Sequence, residues 1–133
     1  MSRAIQCAPA PIPSLSTLGE RVYASAHEAL ENDDVQTAER YFGILALLAP
    51  RDERAWIGLG VTRERRGDWP MAAARYLLGG AIVPSSTWCH FGRARALRRL
   101  GRTDEAERAF DEAEASTEDP TLLRLIEEER NAS

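Results

Sequence analysis

Apolar side chains recur every three to four positions along most of the chain, which predicts amphipathic helices rather than strands. In the central stretch, Trp56 and Leu59 fall on one helical stripe, and Tyr76 lies on a second. Gly67 interrupts the pattern between them, and Pro84 ends it. The stretch therefore predicts two helices joined by a turn, and such a short pair needs similar neighbours to bury its apolar side.

These neighbours exist, because the pattern repeats every 34 residues along the chain. The matching positions are aromatic at Phe42, Tyr76 and Phe110 and small at Ala38, Ala72 and Ala106. The units are residues 19–52, 53–86 and 87–120, with no insertion between them. This helix–turn–helix period resembles the tetratricopeptide repeat (TPR), whose units stack into a curved solenoid. We therefore expect an all-α fold with three tandem TPR units in a domain of residues 18–133.

The first unit shows where its helices should begin and end. The predicted helices are about Leu18–Asn32 and Val35–Leu48. Thr17 is followed three residues later by Glu20, which has the pattern of a capping box at the start of the first helix. The second helix is so rich in apolar residues that we expect it to be buried on most sides.

Two segments lie outside the repeat units. Residues 1–17 carry prolines at alternate positions from Pro9 to Pro13, which predicts a flexible, extended arm. At the other end, over about residues 121–131, the apolar residues Leu122, Leu123, Leu125 and Ile126 precede the acidic run 127–129. We expect a capping helix there, because the open edge of the last unit needs a cover with a polar outer side.

Composition narrows the classes of function. The net charge of −4 argues against general nucleic-acid binding, although all 17 basic residues are arginines. No apolar run is long enough for a transmembrane helix, so we expect no stable membrane insertion. Cys7 and Cys89 form no disulfide or zinc pattern, which favours a reducing cytoplasm.

The sequence contains no recognisable catalytic or metal-binding arrangement. His27 stands alone, and Cys89 and His90 are adjacent, so on a helix their side chains point about 100° apart and cannot share a metal ion. There is no phosphate-binding glycine loop and no nucleophile elbow. We therefore expect a binding module without a cofactor rather than an enzyme.

In a TPR solenoid, the first helix of each unit lines the concave groove. The residues that the TPR resemblance places in the groove are Tyr23, His27, Leu30, Ile57, Val61, Glu64, Trp88, Phe91, Arg95 and Arg98. The groove is therefore apolar and aromatic over about two thirds of its length, with basic residues toward the third unit. Such a surface suits an extended peptide with apolar anchors on a polyproline-like backbone. The alternative for Tyr23, Trp88 and Phe91 is ordinary packing between helices.

A more specific resemblance runs from Thr17 to about Ala115. The residues that carry it are Asp52, Arg54, Trp56, Gly58, Leu59, Gly60, Gly67, Asp68, Trp69, Ala72, Tyr76, Gly79, Gly80 and Phe91. In this pattern the chain resembles the class II chaperones of bacterial type III secretion systems. The resemblance implies a cytosolic protein that binds an N-terminal Pro-x-Leu-x-x-Pro segment of secreted translocator proteins and keeps them soluble before export. It also implies a possible homodimer.

Two other functions compete with this interpretation. A generic TPR scaffold in a larger assembly would use its outer face as well as its groove. A co-chaperone that clamps a C-terminal carboxylate needs lysine and asparagine in the groove. The matching positions hold Tyr23, His27, Gly58, Trp88 and Gly92, so we reject the clamp.

The arm itself contains a sequence close to the Pro-x-Leu-x-x-Pro pattern that the resemblance implies for the bound segment. Residues from Pro13 to Leu18 read Pro-x-Leu-x-x-Leu. Leu15 is too near Tyr23 in sequence to reach its own groove, so we predict that an extended arm occupies the groove of a second molecule. The alternative is a free tail.

Overall fold

The structure is a computed structural model that describes residues 11–132, and within this range it contains helices and no strands. The helices are α1 (Leu15–Glu31), α2 (Val35–Leu48), α3 (Glu53–Arg65), α4 (Trp69–Ile82), α5 (Thr87–Arg99), α6 (Thr103–Ala115) and α7 (Pro120–Asn131). Each helix packs against the next, and the first helices of neighbouring units, α1, α3 and α5, also touch. The all-α solenoid of three helix pairs and a cap is therefore confirmed. Over the described residues, none of the helices combines the length and apolar character needed to cross a membrane.

The turn inside each unit repeats with the sequence period. The residues with positive φ are Asp33, Gly67 and Gly101, at 58°, 72° and 75°. They occupy the same position in successive units, so the chain reverses in the same way three times. In the first two units the following aspartate, Asp34 or Asp68, caps the next helix by accepting a backbone N–H.

One aromatic contact joins each unit to the next. A Cβ atom at Gly58 of α3 would lie 2.2 Å from the Phe42 ring, and one at Gly92 of α5 would lie 2.6 Å from the Tyr76 ring. The rings thus pack directly on the backbone of the following first helix. Ile126 lies one repeat period after Gly92, is 1% exposed and shares a core cluster with Phe110. Helix α7 therefore covers the third unit as another first helix would.

The start of α1 differs from the prediction. The helix begins at Leu15, and the Oγ atom of Ser14 accepts the Thr17 N–H at 3.1 Å, so Ser14 is the cap. Pro13, two residues before the helix, lacks an N–H and is followed directly by this capping serine. Thr17 lies inside the first turn, and the Glu20 carboxylate binds Arg54 instead of closing a capping box.

The helical start also changes the interpretation of the arm. Leu15 and Leu18 belong to α1, so the Pro-x-Leu-x-x-Leu stretch is not extended and the predicted conformation of a groove ligand is wrong for these residues. Residues 11–14 precede the helix, and the remainder of the predicted arm, residues 1–10, lies outside the described residues.

Helix α2 is less buried than its composition predicts. Its buried residues are Ala38, Phe42 and Leu45, whereas Ile44 is 43% exposed and Leu47 is 84% exposed. The reason is that, among the described helices, α1 and α3 pack on α2 and leave the side of Ile44 and Leu47 uncovered. The expectation that α2 is buried on most sides is therefore wrong, and its outer side is an exposed apolar surface.

Candidate functional site

A pocket of about 350 Å³ opens between the first helices of the three units. Its lining residues are Tyr23, His27, Leu30, Phe42, Glu53, Arg54, Ile57, Gly58, Val61 and Trp88. We call it the apolar pocket, because aromatic and aliphatic side chains form most of its wall. The pocket brings together six of the predicted groove residues, which come from α1, α3 and the start of α5.

Helix periodicity explains how these side chains meet. On α1, His27 and Leu30 follow Tyr23 by four and seven positions, so all three lie on one side of the helix. Ile57 and Val61 are four positions apart on α3. Gly58 lies between them and has no side chain, so the Phe42 ring of α2 can pack against α3 and help to line the pocket.

Arg54 organises one rim of the apolar pocket. Its guanidinium lies 4.2 Å from the centre of the Tyr23 ring, a cation–π contact that holds the ring in place. Arg54 Nη2 donates to Glu20 Oε1 at 2.6 Å and to Asp52 Oδ2 at 2.7 Å. Hydrogen bonds from Arg54 lower the pKa of both the Glu20 and the Asp52 carboxyl groups. The rim therefore stays charged, and it links α1 to the start of α3.

Glu64 was predicted in the groove, and the structure gives its carboxylate two partners. Glu64 Oε1 accepts the Tyr76 hydroxyl at 2.8 Å, and Oε2 accepts Arg95 Nη2 at 3.1 Å. The Glu64 side chain is 13% exposed. Burial of Tyr76, together with the charge of Glu64, raises the pKa of the phenol, so the hydroxyl stays a donor. Glu64 thus serves a network between α3, α4 and α5.

Phe91 lies in the core and is 4% exposed. Its ring makes an edge contact with Trp88 at a centroid distance of 6.1 Å and a tilted contact with Phe110 at 6.4 Å. Trp88 itself is 42% exposed and reaches the apolar pocket. The packing alternative therefore describes Phe91, which supports Trp88 and does not line the apolar pocket.

Arg95 and Arg98 line a different pocket, of about 360 Å³. Its lining residues are Trp69, Arg95, Arg98, Arg99 and Glu129, and we call it the arginine pocket. Of the ten predicted residues, six thus line the apolar pocket, two line the arginine pocket, Phe91 lies in the core and Glu64 belongs to the hydrogen-bonded network. Their role in peptide binding stays a prediction.

Four residues of the apolar pocket were missing from the prediction: Phe42, Glu53, Arg54 and Gly58. The repeat period contained a signal for one of them. Arg54 precedes Trp88 by one full period, so it occupies the same place on its helix as a predicted groove residue. Phe42 belongs to a second helix and reaches the pocket only because Gly58 leaves space, which no pattern within one helix could indicate.

Other reactive side chains have structural surroundings. Cys89 is fully buried on α5, and burial raises the pKa of its thiol to about 11, so the thiol is protonated at neutral pH. His90 Nε2 lies 2.8 Å from the Pro84 carbonyl oxygen. Over residues 11–132, histidine, cysteine and acidic side chains form no group of three or more that could hold a metal ion.

Comparison with known proteins supports the repeat fold. A family model described as the tetratricopeptide repeat matches residues 23–86 and 90–121. The low calcium response locus protein H of Yersinia pestis is 25% identical over 107 residues, which are 80% of this chain and 64% of that protein. The chain therefore spans less than two thirds of the length of this relative.

Two solved complexes have the same fold. The Yersinia enterocolitica type III secretion chaperone SycD, in complex with a peptide of the translocator YopD, is 25% identical with a TM-score of 0.78, and the match covers 91% of this chain and 94% of that one. PcrH in complex with the chaperone binding region of PopD is 27% identical with a TM-score of 0.76, and the match covers 88% of each chain. These similarities confirm the resemblance to type III secretion chaperones. Because the repeat model matches most of the sequence, the chain belongs to the tetratricopeptide repeat family.

Proposed function

We propose that this protein is a bacterial cytoplasmic chaperone that binds an extended apolar segment of a secreted translocator protein, its client, and keeps the client soluble before export. The observation that carries the proposal is the apolar pocket, to which all three repeat units contribute side chains. SycD and PcrH, which share the fold and 25% and 27% of their residues with this chain, were solved with segments of the translocators YopD and PopD.

The pocket suits an extended chain with spaced apolar side chains. Ile57, Val61 and Leu30 supply aliphatic surface, and Tyr23 and Trp88 supply aromatic surface from the first and third units. A polyproline-like segment makes no internal hydrogen bonds and loses little entropy on binding, so its leucine side chains can enter such a pocket at low cost. Proteins that insert into membranes carry exposed apolar segments, and covering them prevents aggregation.

A homodimer belongs to the same proposal. The supporting observation is the outer side of α2, where Ile44 and Leu47 are exposed among the residues that the structure describes. Apolar side chains of this kind are typical of surfaces that are covered in an assembly.

The test is calorimetric titration with a synthetic Pro-x-Leu-x-x-Pro peptide. We expect Ile57→Ala and Trp88→Ala each to weaken binding about tenfold, because a few buried anchors supply most of the binding energy. Leu77→Ala removes a comparable side chain that is 48% exposed on α4 and outside the apolar pocket, so its affinity should equal that of the wild type. Circular dichroism should show the same helical content in all variants.

Two outcomes contradict the proposal. Unchanged affinity in both Ile57→Ala and Trp88→Ala would remove the apolar pocket as the binding site. A loss of binding in Leu77→Ala alone would place recognition on the outer face, as expected for a generic TPR scaffold.

A further inference from the structure

We propose that the arginine pocket binds an aspartate or glutamate side chain of the client segment whose apolar residues occupy the apolar pocket. This inference rests on the proposed function, because it extends the recognition of the same client. The client segment is then recognised by two features: its apolar anchors, and a carboxylate at a defined distance from them.

The charges of the pocket wall are unequal. Three guanidinium groups, those of Arg95, Arg98 and Arg99, line the pocket together with a single carboxylate, that of Glu129. Glu129 is engaged by Arg98, which donates to its backbone oxygen and, at 3.2 Å, to Oε1. Arg95 is held from α3 by Glu64. The pocket is therefore left with a positive charge that comes mainly from Arg99.

Arg99 has no carboxylate within 4.0 Å among the described residues. Its guanidinium instead lies 4.5 Å from the centre of the Trp69 ring. A guanidinium on an aromatic ring keeps the N–H groups at its edge free to donate, and a planar carboxylate can accept two of them at once. The Trp69 contact thus orients Arg99 toward the pocket without neutralising it.

Arg93, the first of the four arginines of α5, makes a different contact. Arg93 Nη1 lies 3.9 Å from Glu112 Oε2 of α6 and lines a separate pocket with His90. The four arginines of α5 are therefore divided: Arg93 faces α6, and the other three face the arginine pocket.

The two pockets lie along one side of α5. Arg95 follows Trp88 by seven positions, almost two helical turns, so both side chains lie on the same side of the helix. The rise of the helix places Arg95 to Arg99 about 10–17 Å beyond Trp88. An extended peptide covers about 3.3 Å per residue, so the carboxylate should lie about three to five residues from the anchor beside Trp88.

The net charge of the protein favours a single acidic side chain over a polyanion. At −4 overall, the chain repels extended negative polymers such as nucleic acids. One carboxylate matches one unpaired guanidinium, and a hydrogen bond to a charged group contributes enough free energy to alter affinity about tenfold.

The experiment compares peptide pairs by fluorescence anisotropy with the full-length protein. Each peptide contains Pro-x-Leu-x-x-Pro, and a series places one aspartate about two to six residues before or after the leucine, with asparagine in the matched partner. Amidated C-termini remove the terminal carboxylate, so a preference reports only the side chain. We expect one position about three to five residues away at which aspartate binds about tenfold more tightly than asparagine.

The decisive variant is Arg99→Gln. Arg99 is exposed and makes no ion pair with the described residues, so the variant should fold as the wild type does. It should lose the preference for aspartate and keep its affinity for the asparagine peptide. Arg108→Gln removes the same charge from an exposed position on α6 and should keep the preference.

Four outcomes would contradict the proposal. Equal affinity for aspartate and asparagine at every position overturns the carboxylate site while leaving the apolar groove intact. A preference that survives Arg99→Gln also overturns it. Binding of no peptide in the series refutes the proposed function, and with it this extension. Competition by millimolar inorganic phosphate, but not acetate, would identify a phosphate site and contradict the assignment of a carboxylate.

Discussion

The distance between neighbouring helices depends on single residues that have almost no side chain. Gly58 is the clearest case, because the Phe42 ring occupies the place where a Cβ atom would stand. The same contact recurs one period later between Tyr76 and Gly92. The aromatic residue and the glycine form one unit of packing between repeats, and in the first unit this contact also helps to line the apolar pocket.

We predict that Gly58→Ala destabilises the protein by about 1–3 kcal/mol, because the added methyl group must displace a packed ring. Gly43→Ala is the matched control: it is also inside a helix, and nothing lies within 4 Å of the added Cβ atom. There alanine should stabilise by about 0.5–1 kcal/mol, since the helix favours it over glycine. Urea unfolding measures the free energy of unfolding of the two variants. Equal changes in this free energy would show that Phe42 does not pack on α3 as described.

At the scale of helices, α7 covers the core of the third unit. Helix α7 contributes Ile126 to the core, and Arg130 on the same helix donates to three carboxylates of α6. These contacts attach a helix with an otherwise exposed outer face to the last pair. We expect the core side chain to contribute most of the stabilisation, because the carboxylates that Arg130 binds are exposed and ion pairs with exposed partners contribute little.

We predict that Ile126→Ala lowers the free energy of unfolding by about 2–4 kcal/mol, since it leaves a cavity beside Phe110. Its neighbour Leu125 is 39% exposed, so Leu125→Ala should cost less than about 1 kcal/mol. Thermal denaturation followed by circular dichroism compares the two. A larger loss in Leu125→Ala would mean that α7 is rotated about its axis relative to the structure.

At the scale of the whole molecule, the apolar pocket depends on contacts between distant parts of the sequence. Tyr23, Ile57 and Trp88 come from three different units, and each unit packs mainly on its neighbours. In such a stack the terminal unit can open while the others remain folded. Opening of α1 removes one wall of the pocket, so ligand binding and the folding of the first unit are coupled.

We predict that the Pro-x-Leu-x-x-Pro peptide slows hydrogen exchange in α1. At a free concentration about ten times its Kd, exchange through opening of this helix should slow about tenfold, because only the closed form binds. Amides of α7 are the internal control, since local opening of the cap leaves the apolar pocket intact. Equal slowing in α1 and α7 would show that the described part of the chain opens as one unit.

The sequence alone determined the repeat architecture. A fixed period in aromatic, small and turn positions is a local property, and it predicted the helix pairs, the positions of the turns and the cap. The resemblance to TPR units, which rests on this period, placed in the groove six residues that line the apolar pocket. Those on one helix lie together because their spacing puts them on one side of it.

Only the tertiary structure decided which of these side chains face solvent. Phe91 and Trp88 are both aromatic and three positions apart, yet α6 covers Phe91 and leaves Trp88 exposed. Leu47 is exposed because none of the helices α1 to α7 lies over its side of α2. The four arginines of α5 are divided between two sides of that helix by Glu112, Trp69 and Glu129, which come from three other helices. Contacts of this kind depend on how the units stack, and periodicity within one helix contains no information about them.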